Sequence, residues 1–314
     1  MKSWSTEFSP EEQQFSYWRE IICEAFVMLD PVLKANSTNF IGQVNSHYLY
    51  QTRKTNIFSR AQLINRRWEE IRRNPVDYYF ANFQLEGSCV VRQDGEETLV
   101  NAGDFVIVDT THPYFLDFRE DWRVLSFQIP RHQLASRLRA PRHATARTIS
   151  GQTGLGLVAT SYAKSLEQIT LNSSMDVQES LSTSLNSVIA LALGATLEIQ
   201  ENDRLSIRDA FRRAIEIYIN DNLYDTSLSP DSIARRFGVS RRTLYNIFET
   251  SPFSISAMIR EQRLLRIAKE LQCPNHANIL AVALRWGFND ASHFSRLFKS
   301  RFGQSPRDFA ANKS

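Results

Sequence analysis

The sequence predicts an α+β protein of two domains, a β-rich N-terminal domain with flanking helices and an all-α C-terminal domain. Short segments rich in aromatic and β-branched residues, separated by turn residues, are concentrated between residues 78 and 129. Helical periodicity dominates after residue 207, where two short helix-turn-helix units follow one another. The length of 314 residues is enough for about two domains.

The distribution of charge separates the same two regions. The whole chain carries 37 Lys and Arg against 34 Asp and Glu, a nearly balanced total. Residues 211–314 hold 16 of the basic residues and 9 of the acidic ones, so the rest of the chain is net acidic. A basic C-terminal domain suits phosphate binding, and a solvated basic surface is the plainer alternative.

The N-terminal domain is predicted to begin with a helix, because Phe15, Trp18, Ile22 and Phe26 share one helical face. Strands are then predicted at residues 78–85, 88–93, 96–100, 105–109, 114–118 and 124–129. The Asp94-Gly95 pair is a hairpin turn signal between two of them. Short strands with frequent turns predict a small β-barrel or sandwich, which can hold one small ligand.

Two further helices are predicted at residues 155–169 and 177–199. An apolar stripe on the second consists of Leu181, Leu185, Val188, Ile189 and Ala192. Periodicity alone leaves open whether the stripe packs on its own domain or forms a dimer interface. The polar segment 200–204 predicts the domain boundary, with an N-terminal domain at 1–200, a linker at 201–206 and a C-terminal domain at 207–314.

The first helix-turn-helix unit begins at Ser229, a typical N-cap residue that precedes Pro230 at the first helical position. Gly238 supplies a left-handed turn. Ser240 then caps a second helix at 241–248. A single pair of short helices of this kind is common in all-α domains and would be a weak signal by itself.

The second unit contains a glycine turn at Gly287 followed by another short helix. Phe294, Leu297 and Phe298 recur at i, i+3 and i+4 and predict one apolar face, while the other face carries small polar and cationic groups. A major-groove reader needs a helix of this kind, whereas an ordinary core helix would explain the apolar face alone. The second unit makes DNA binding the favoured interpretation.

Residues 287–306 resemble, almost without interruption, the C-terminal signature of AraC/XylS-type transcriptional regulators. This family places its two motifs on either side of a linking helix, which corresponds here to residues 256–271. The resemblance implies that one monomer reaches two successive major-groove faces, roughly 34 Å apart.

The family's binding mode implies a set of DNA contacts. The residues expected to contact bases are Arg242, Tyr245, Asn246, Ala291, Ser292, His293, Ser295 and Arg296. Those expected to contact phosphates are Arg241, Thr243 and Lys299. Phe288, Leu244 and Phe298 are expected to be structural.

The N-terminal domain resembles the cupin-type effector domain of the same family, through the segment 103–109 and the His112-Pro113 pair that follows it. Segments 65–68, 83–87 and 129–131 are similar to a subgroup that includes activators of phenylethylamine and related aromatic catabolism. The resemblance therefore implies a cupin-like β-barrel that binds a small aromatic effector. It also implies a homodimer, double-stranded promoter DNA and RNA polymerase as partners.

Polar and aromatic residues of the strands are the expected effector contacts. They are Tyr79, Asn82, Phe83, His112, Tyr114, Phe115 and Trp122. The alternatives are that most of these aromatic residues are plain core and that His112 caps its turn. Whether the effector is an acid or an amine is open, because Arg92, Glu86 and Asp109 are all within reach by sequence.

The motifs give no sign of an enzyme. None of the six His residues share the i, i+2 spacing that would place two metal ligands on one strand face. No phosphate loop, Gly-x-Ser-x-Gly motif or metal-thiolate pair is present, so we expect no metal and no cofactor. Three scattered cysteines suit a reducing compartment.

No signal peptide and no membrane-length apolar run is visible, which predicts a cytoplasmic protein that joins the nucleoid when bound to DNA and has no membrane partner. Two function classes remain open. The first is a ligand-responsive transcription activator. The second is a DNA-binding regulator without small-molecule input, whose barrel serves only oligomerisation.

Overall fold

The computed structural model describes residues 2–34, 39–138, 140–167, 174–194, 201–273 and 278–311. The chain divides into two compact units, Met1–Ala214 and Ile215–Ser314. The α+β class and the order of a β-rich domain before an all-α domain are as predicted.

The described residues of the first unit form two antiparallel sheets. Across the six-stranded sheet the order is β1 (Lys2–Ser5), β3 (Gly42–Leu49), β4 (Thr52–Ser59), β11 (Trp122–Pro130), β6 (Tyr78–Glu86) and β9 (Phe105–Asp109). Across the five-stranded sheet it is β2 (Asp30–Leu33), β5 (Gln62–Arg66), β10 (Tyr114–Phe118), β7 (Ser88–Gln93) and β8 (Glu96–Asn101). The strands thus form a cupin-like sandwich of two open sheets rather than a closed barrel.

The six strands that the sequence predicts correspond to β6 to β11, whereas β1 to β5 were not predicted. The predicted hairpin turn is present, because Asp94 and Gly95 both adopt positive φ angles, of 51° and 84°. A core of apolar side chains fills the space between the two sheets and beneath the first helix. Trp18, Phe80 and Trp122 are among its buried members.

Helices flank the sandwich. They are α1 (Glu11–Ala25), α2 (Trp68–Arg73), α3 (Arg131–Ala135), α4 (Gly154–Glu167) and α5 (Met175–Ala192). Helix α4 packs on α5 and on β11, and α5 also packs on β3, so these helices cover the outer face of the six-stranded sheet. The last residues of the two helices predicted at 155–169 and 177–199 lie outside the described residues.

The apolar stripe of α5 is largely covered by its own domain. Leu185, Val188 and Ile189 are buried within the single chain, with at most 1% of their surface exposed. Leu181 and Ala192 are half-buried. Of the two alternatives for the stripe, packing on its own domain is the one that these contacts favour.

Residues 201–206, predicted as a linker, belong to helix α6 (Glu201–Asp221). The polar segment that suggested a break is the start of a helix, where acidic residues are favourable. The boundary between the two compact units lies within this helix, between Ala214 and Ile215. The predicted limits of the two domains remain predictions.

In the part of the chain that the structure describes, the second unit consists of the end of α6 and six further helices. They are α7 (Pro230–Phe237), α8 (Arg241–Ile247), α9 (Ile255–Leu271), α10 (Ile279–Arg285), α11 (Ala291–Phe302) and α12 (Pro306–Ala311). Helix α9 is the predicted linking helix, and Ile259, Leu264 and Ile267 on it are buried. The helix pairs α7–α8 and α10–α11 are the two helix-turn-helix units.

Candidate functional site

Helix α8 is held by a cap and an apolar anchor. The hydroxyl of Ser240 accepts a hydrogen bond of 3.0 Å from the backbone N–H of Thr243, and Leu244 is fully buried. The opposite face is exposed to solvent and carries Arg242, Tyr245 and Asn246. All three predicted base contacts of the first motif therefore lie on one accessible surface.

Arg241 and Tyr245, which the sequence assigns different roles, form one contact. The Arg241 guanidinium donates to the Tyr245 hydroxyl at 3.4 Å and pairs with Asp231 at 3.1 Å. The hydrogen bond to Tyr245 and then the charge of Asp231 raise the pKa of Arg241. Asp231 is thus an acidic neighbour of α8 that the sequence analysis did not single out.

Helix α11 presents the second predicted contact surface. Its exposed residues include all six predicted contacts, Ala291, Ser292, His293, Ser295, Arg296 and Lys299. The opposite face is anchored by Phe294 and Phe298, which expose at most 2% of their surface. Phe288 is also buried, as expected for a structural residue.

An aspartate caps this helix. A carboxylate oxygen of Asp290 accepts a hydrogen bond of 2.9 Å from the backbone N–H of His293. That bond is the main cause that lowers the pKa of Asp290. The charged carboxylate at the start of α11 therefore fixes the first turn, which carries Ser292 and His293.

A buried arginine, missed by the sequence analysis, supports the glycine turn before α11. Arg263 on α9 is 8% exposed and donates from Nε to the Leu223 carbonyl at 3.1 Å and from Nη2 to the Asp225 carbonyl at 2.6 Å. A Cβ atom added at Gly287 would lie 2.9 Å from Nη1 of Arg263. Because Gly287 has a φ of +82°, glycine is needed there for both conformation and space.

A cavity of about 40 Å³ lies between the two sheets of the first unit. Its lining is mostly aliphatic and aromatic: Ile22, Phe26, Leu29, Ile57, Ile64, Phe80, Asn82, Tyr114, Leu116, Phe118, Trp122 and Val124. The Trp122 indole N–H donates to the Arg60 carbonyl at 3.1 Å, and the ring stacks on Phe118 with centroids 3.8 Å apart. The carboxamide oxygen of Asn82 accepts a bond of 2.7 Å from the Ser126 hydroxyl.

Three of the seven predicted effector contacts line this cavity, namely Asn82, Tyr114 and Trp122. Tyr79 and Phe83 do not line it, because they alternate along β6 with Phe80 and Asn82 and lie on the other face of the sheet. There Phe83 stacks on Phe105, with ring centroids 4.7 Å apart.

Phe115 and His112 also lie outside the cavity lining. Phe115 alternates along β10 with Tyr114 and Leu116, which line the cavity, so its ring is on the opposite face of that sheet. His112 lies in the turn before β10, where its Nδ1 is 3.1 Å from the Thr111 hydroxyl. The alternative that His112 serves its turn is the one this geometry favours.

In the described part of the chain, no group of three or more His, Cys, Asp or Glu side chains could hold a metal ion. None of the described helices has the length and apolar character that crossing a membrane would require.

Comparison with known families follows the same division of the chain. Residues 18–192, more than half of the chain, match the model of the AraC-binding-like domain, and residues 233–312 match that of a helix-turn-helix domain. The fold and the exposed helix faces define a DNA-binding transcription regulator. The chain belongs to the AraC family of these regulators.

Individual relatives agree with this assignment. The transcriptional activator NphR of Rhodococcus sp is 30% identical over 230 residues, which cover 73% of this chain and 68% of that protein. An uncharacterized protein in the nit 5' region of Bacillus sp. (strain OxB-1) is 29% identical over 234 residues, which cover 71% of this chain and 86% of that protein. The crystal structure of the AraC-like transcriptional activator CuxR shares the fold, with a TM-score of 0.55 and 20% identity over 84% of this chain and 94% of that chain.

Proposed function

We propose that this regulator is a transcription activator that reads promoter DNA with α8 and α11 and responds to a small effector bound between its two sheets. The observation that carries the DNA-binding part is the exposure of all eleven predicted contact residues on two capped helices with buried opposite faces. The activator role is suggested by the NphR relative.

The side chains on the two helices suggest distinct contacts. Arg242 and Arg296 suit bidentate recognition of guanine, and Asn246 suits adenine. Ala291 offers only a methyl contact, such as one to thymine. Arg241, Thr243 and Lys299 would position the helices on phosphates.

Effector binding would require the cavity to grow. An engineered cavity that binds benzene measures about 150 Å³, well above the volume between these sheets. The strands in the cavity wall are tied by backbone ladders, whereas Ile22, Phe26 and Leu29 belong to α1 and the turn after it. The part of the lining formed by α1 and the turn after it is the part that can move without breaking a sheet. An effector that favours the DNA-binding arrangement would then shift the population toward it.

The small cavity also supports a second candidate function, a regulator without small-molecule input whose sandwich serves only oligomerisation. Under both proposals we retain RNA polymerase and a second copy of the chain as partners. The cytoplasmic and nucleoid location and the link to aromatic catabolism also belong to the proposal, as do the domain limits 1–200, 201–206 and 207–314.

The test is a thermal-shift screen of the full-length protein against small aromatic acids, ketones, amides and amines, with promoter binding followed by fluorescence anisotropy. The ligand-responsive function predicts that one chemical class raises the unfolding temperature and changes promoter affinity. Phe26→Ala should strengthen the response by enlarging the cavity, while Phe8→Ala, at a side chain 91% exposed, should not. Specific promoter binding with no response to any compound would favour the second function.

A further inference from the structure

We propose that the cavity selects a small, largely apolar ligand whose polar end is a hydrogen-bond acceptor, neutral or negatively charged, and that it rejects amines. The acceptor would be bound by the Asn82 carboxamide and the Tyr114 hydroxyl. This inference rests on the proposed effector site and assigns the chemistry of its ligand.

Asn82 ends a row of polar residues on the inner face of the six-stranded sheet, and the last of them, Ser126, sets its orientation. Ser46 is paired with Thr55, Thr55 with Ser126 and Ser126 with Asn82 across successive strands. Ser126 donates to the Asn82 carboxamide oxygen, which leaves the NH₂ group as the part of Asn82 that can serve a ligand. Within the described residues this NH₂ group has no hydrogen-bond partner, and Asn82 is partly exposed where it lines the cavity.

Tyr114 provides the second polar group. Its side chain is 1% exposed, and no described residue forms a hydrogen bond with its hydroxyl. Burial raises the pKa of Tyr114, so the group is a neutral phenol that can donate its proton to an acceptor.

A buried positive charge lies next to this phenol. Arg66 is paired with Tyr114 across β5 and β10 and is fully buried. Its three guanidinium nitrogens donate to the carbonyls of Thr110, Met28 and Asn74 at 3.0, 2.8 and 3.0 Å. Its guanidinium forms no ion pair with a described carboxylate, although the Glu70 carboxylate lies close enough to act on it, and its positive charge also acts on the neighbouring Tyr114.

The cavity lining provides no counter-ion for a cation. None of the twelve lining residues is acidic, and the two polar groups assigned to the ligand, the Asn82 NH₂ and the Tyr114 hydroxyl, can each donate a hydrogen bond. An ammonium ion would lose its hydration, meet no counter-ion and be repelled by Arg66. A carbonyl or carboxylate oxygen would accept from Asn82 and Tyr114, with Arg66 favouring its negative charge.

The test uses two probes with the same carbon skeleton, acetophenone and 1-phenylethylamine, titrated into the full-length protein by calorimetry. We expect acetophenone to bind at least about tenfold more tightly, because a site built from donors leaves them unpaired with the amine. Tyr114→Phe, which keeps the ring, should weaken acetophenone binding about 2- to 13-fold. The matched control Tyr17→Phe, at an exposed tyrosine of α1, should leave it unchanged.

Asn82→Asp provides the complementary test, since it replaces the donor with a carboxylate and should raise the affinity for the amine while lowering that for the ketone. Tighter binding of 1-phenylethylamine than of acetophenone to the unmodified protein would overturn the inference about ligand chemistry. It would still support the proposed effector site. Binding of neither probe, nor of any acid or amide, by protein that still binds its promoter would instead contradict the proposed effector site.

Discussion

The guanidinium of Arg263 fills the space that a side chain on residue 287 would need: Nη1 lies 2.9 Å from the position of a Cβ on Gly287. The guanidinium cannot easily withdraw, because Nε and Nη2 of the same side chain donate to the carbonyls of Leu223 and Asp225. The linking helix therefore supports both the segment before the first helix-turn-helix unit and the turn inside the second.

Gly287→Ala should destabilise the protein for two reasons, a positive φ and a collision with Arg263. Gly303 provides the matched control, because it also has a positive φ, of 76°, but has no atom within 4 Å of an added Cβ. We expect Gly303→Ala to lower the free energy of unfolding by about 1 kcal/mol and Gly287→Ala by about 2–3 kcal/mol. If chemical denaturation gave equal decreases in the free energy of unfolding for the two variants, the protein would accommodate the added Cβ at residue 287 without a collision.

Arg263→Met should be more damaging than the same change at an exposed arginine of the same helix. Methionine keeps much of the apolar stem but leaves two backbone carbonyls without their donor, which should lower the free energy of unfolding by about 2–3 kcal/mol. Arg266 is exposed on α9, and Arg266→Met should stay within about 0.5 kcal/mol. Chemical denaturation monitored by circular dichroism compares the two variants.

Arg296→Ala should weaken binding to the specific promoter site by about 1–3 kcal/mol without changing the unfolding temperature, because Arg296 is exposed and predicted to contact a base. Arg301 lies on the same helix but pairs with Glu261 of α9, so Arg301→Ala is the control. Fluorescence anisotropy with specific and scrambled duplexes measures the difference. Unchanged specific affinity in Arg296→Ala would remove this residue from the predicted contact surface.

Lys299→Ala should weaken binding to specific and scrambled duplexes alike, because a phosphate contact carries no sequence information. The slope of log affinity against log salt concentration should also become less steep by about 0.9, the contribution of one neutralised phosphate. Lys269→Ala, at an exposed lysine of α9, should leave the slope as it is. A loss confined to the specific duplex would assign Lys299 to base recognition instead.

Asp290 should give stability a dependence on acidic pH. Its pKa is lower in the folded chain than its ordinary value of about 3.9. Its contribution to stability is therefore complete above that value and is lost as the pH falls through the lowered pKa. Asp290→Asn should keep the cap but remove this dependence, and Asp290→Ala should lower the unfolding temperature at neutral pH. Thermal unfolding between pH 2.5 and pH 7 distinguishes the three proteins.

The sequence was most informative where local signals determine structure. The strands from β6 onward have aromatic and β-branched residues and turn signals such as Asp94-Gly95. Both helices that are predicted to contact DNA have caps that are visible in the sequence. By contrast, β4 was not predicted, and it contains Lys54, a charged residue that a sequence pattern does not mark as buried. In the structure Lys54 is buried, and its ammonium donates to the Leu166 carbonyl at the end of α4 at 2.6 Å. A partner so distant in the sequence leaves no local trace.

The cavity lining was only partly predictable for a related reason. Both faces of β6 are buried, with Tyr79 and Phe83 on one side and Phe80 on the other. The usual alternation of apolar and polar residues is therefore missing, and the sequence does not show which face lines the cavity. Arg263 was missed because a buried arginine interrupts the apolar pattern of α9 that reveals its other inward residues.

The outer strands of the sandwich limit the ways in which copies of this chain can aggregate. β2 contains Pro31, β8 begins with Glu96 and Glu97, and β1 is only four residues long. The free side of β9 is occupied by the segment 146–149, through paired hydrogen bonds between Phe105 and Ile149. Short, charged, proline-containing or covered edges are poor templates for another strand. At high concentration the folded domain should therefore resist the strand-by-strand stacking that seeds fibrils.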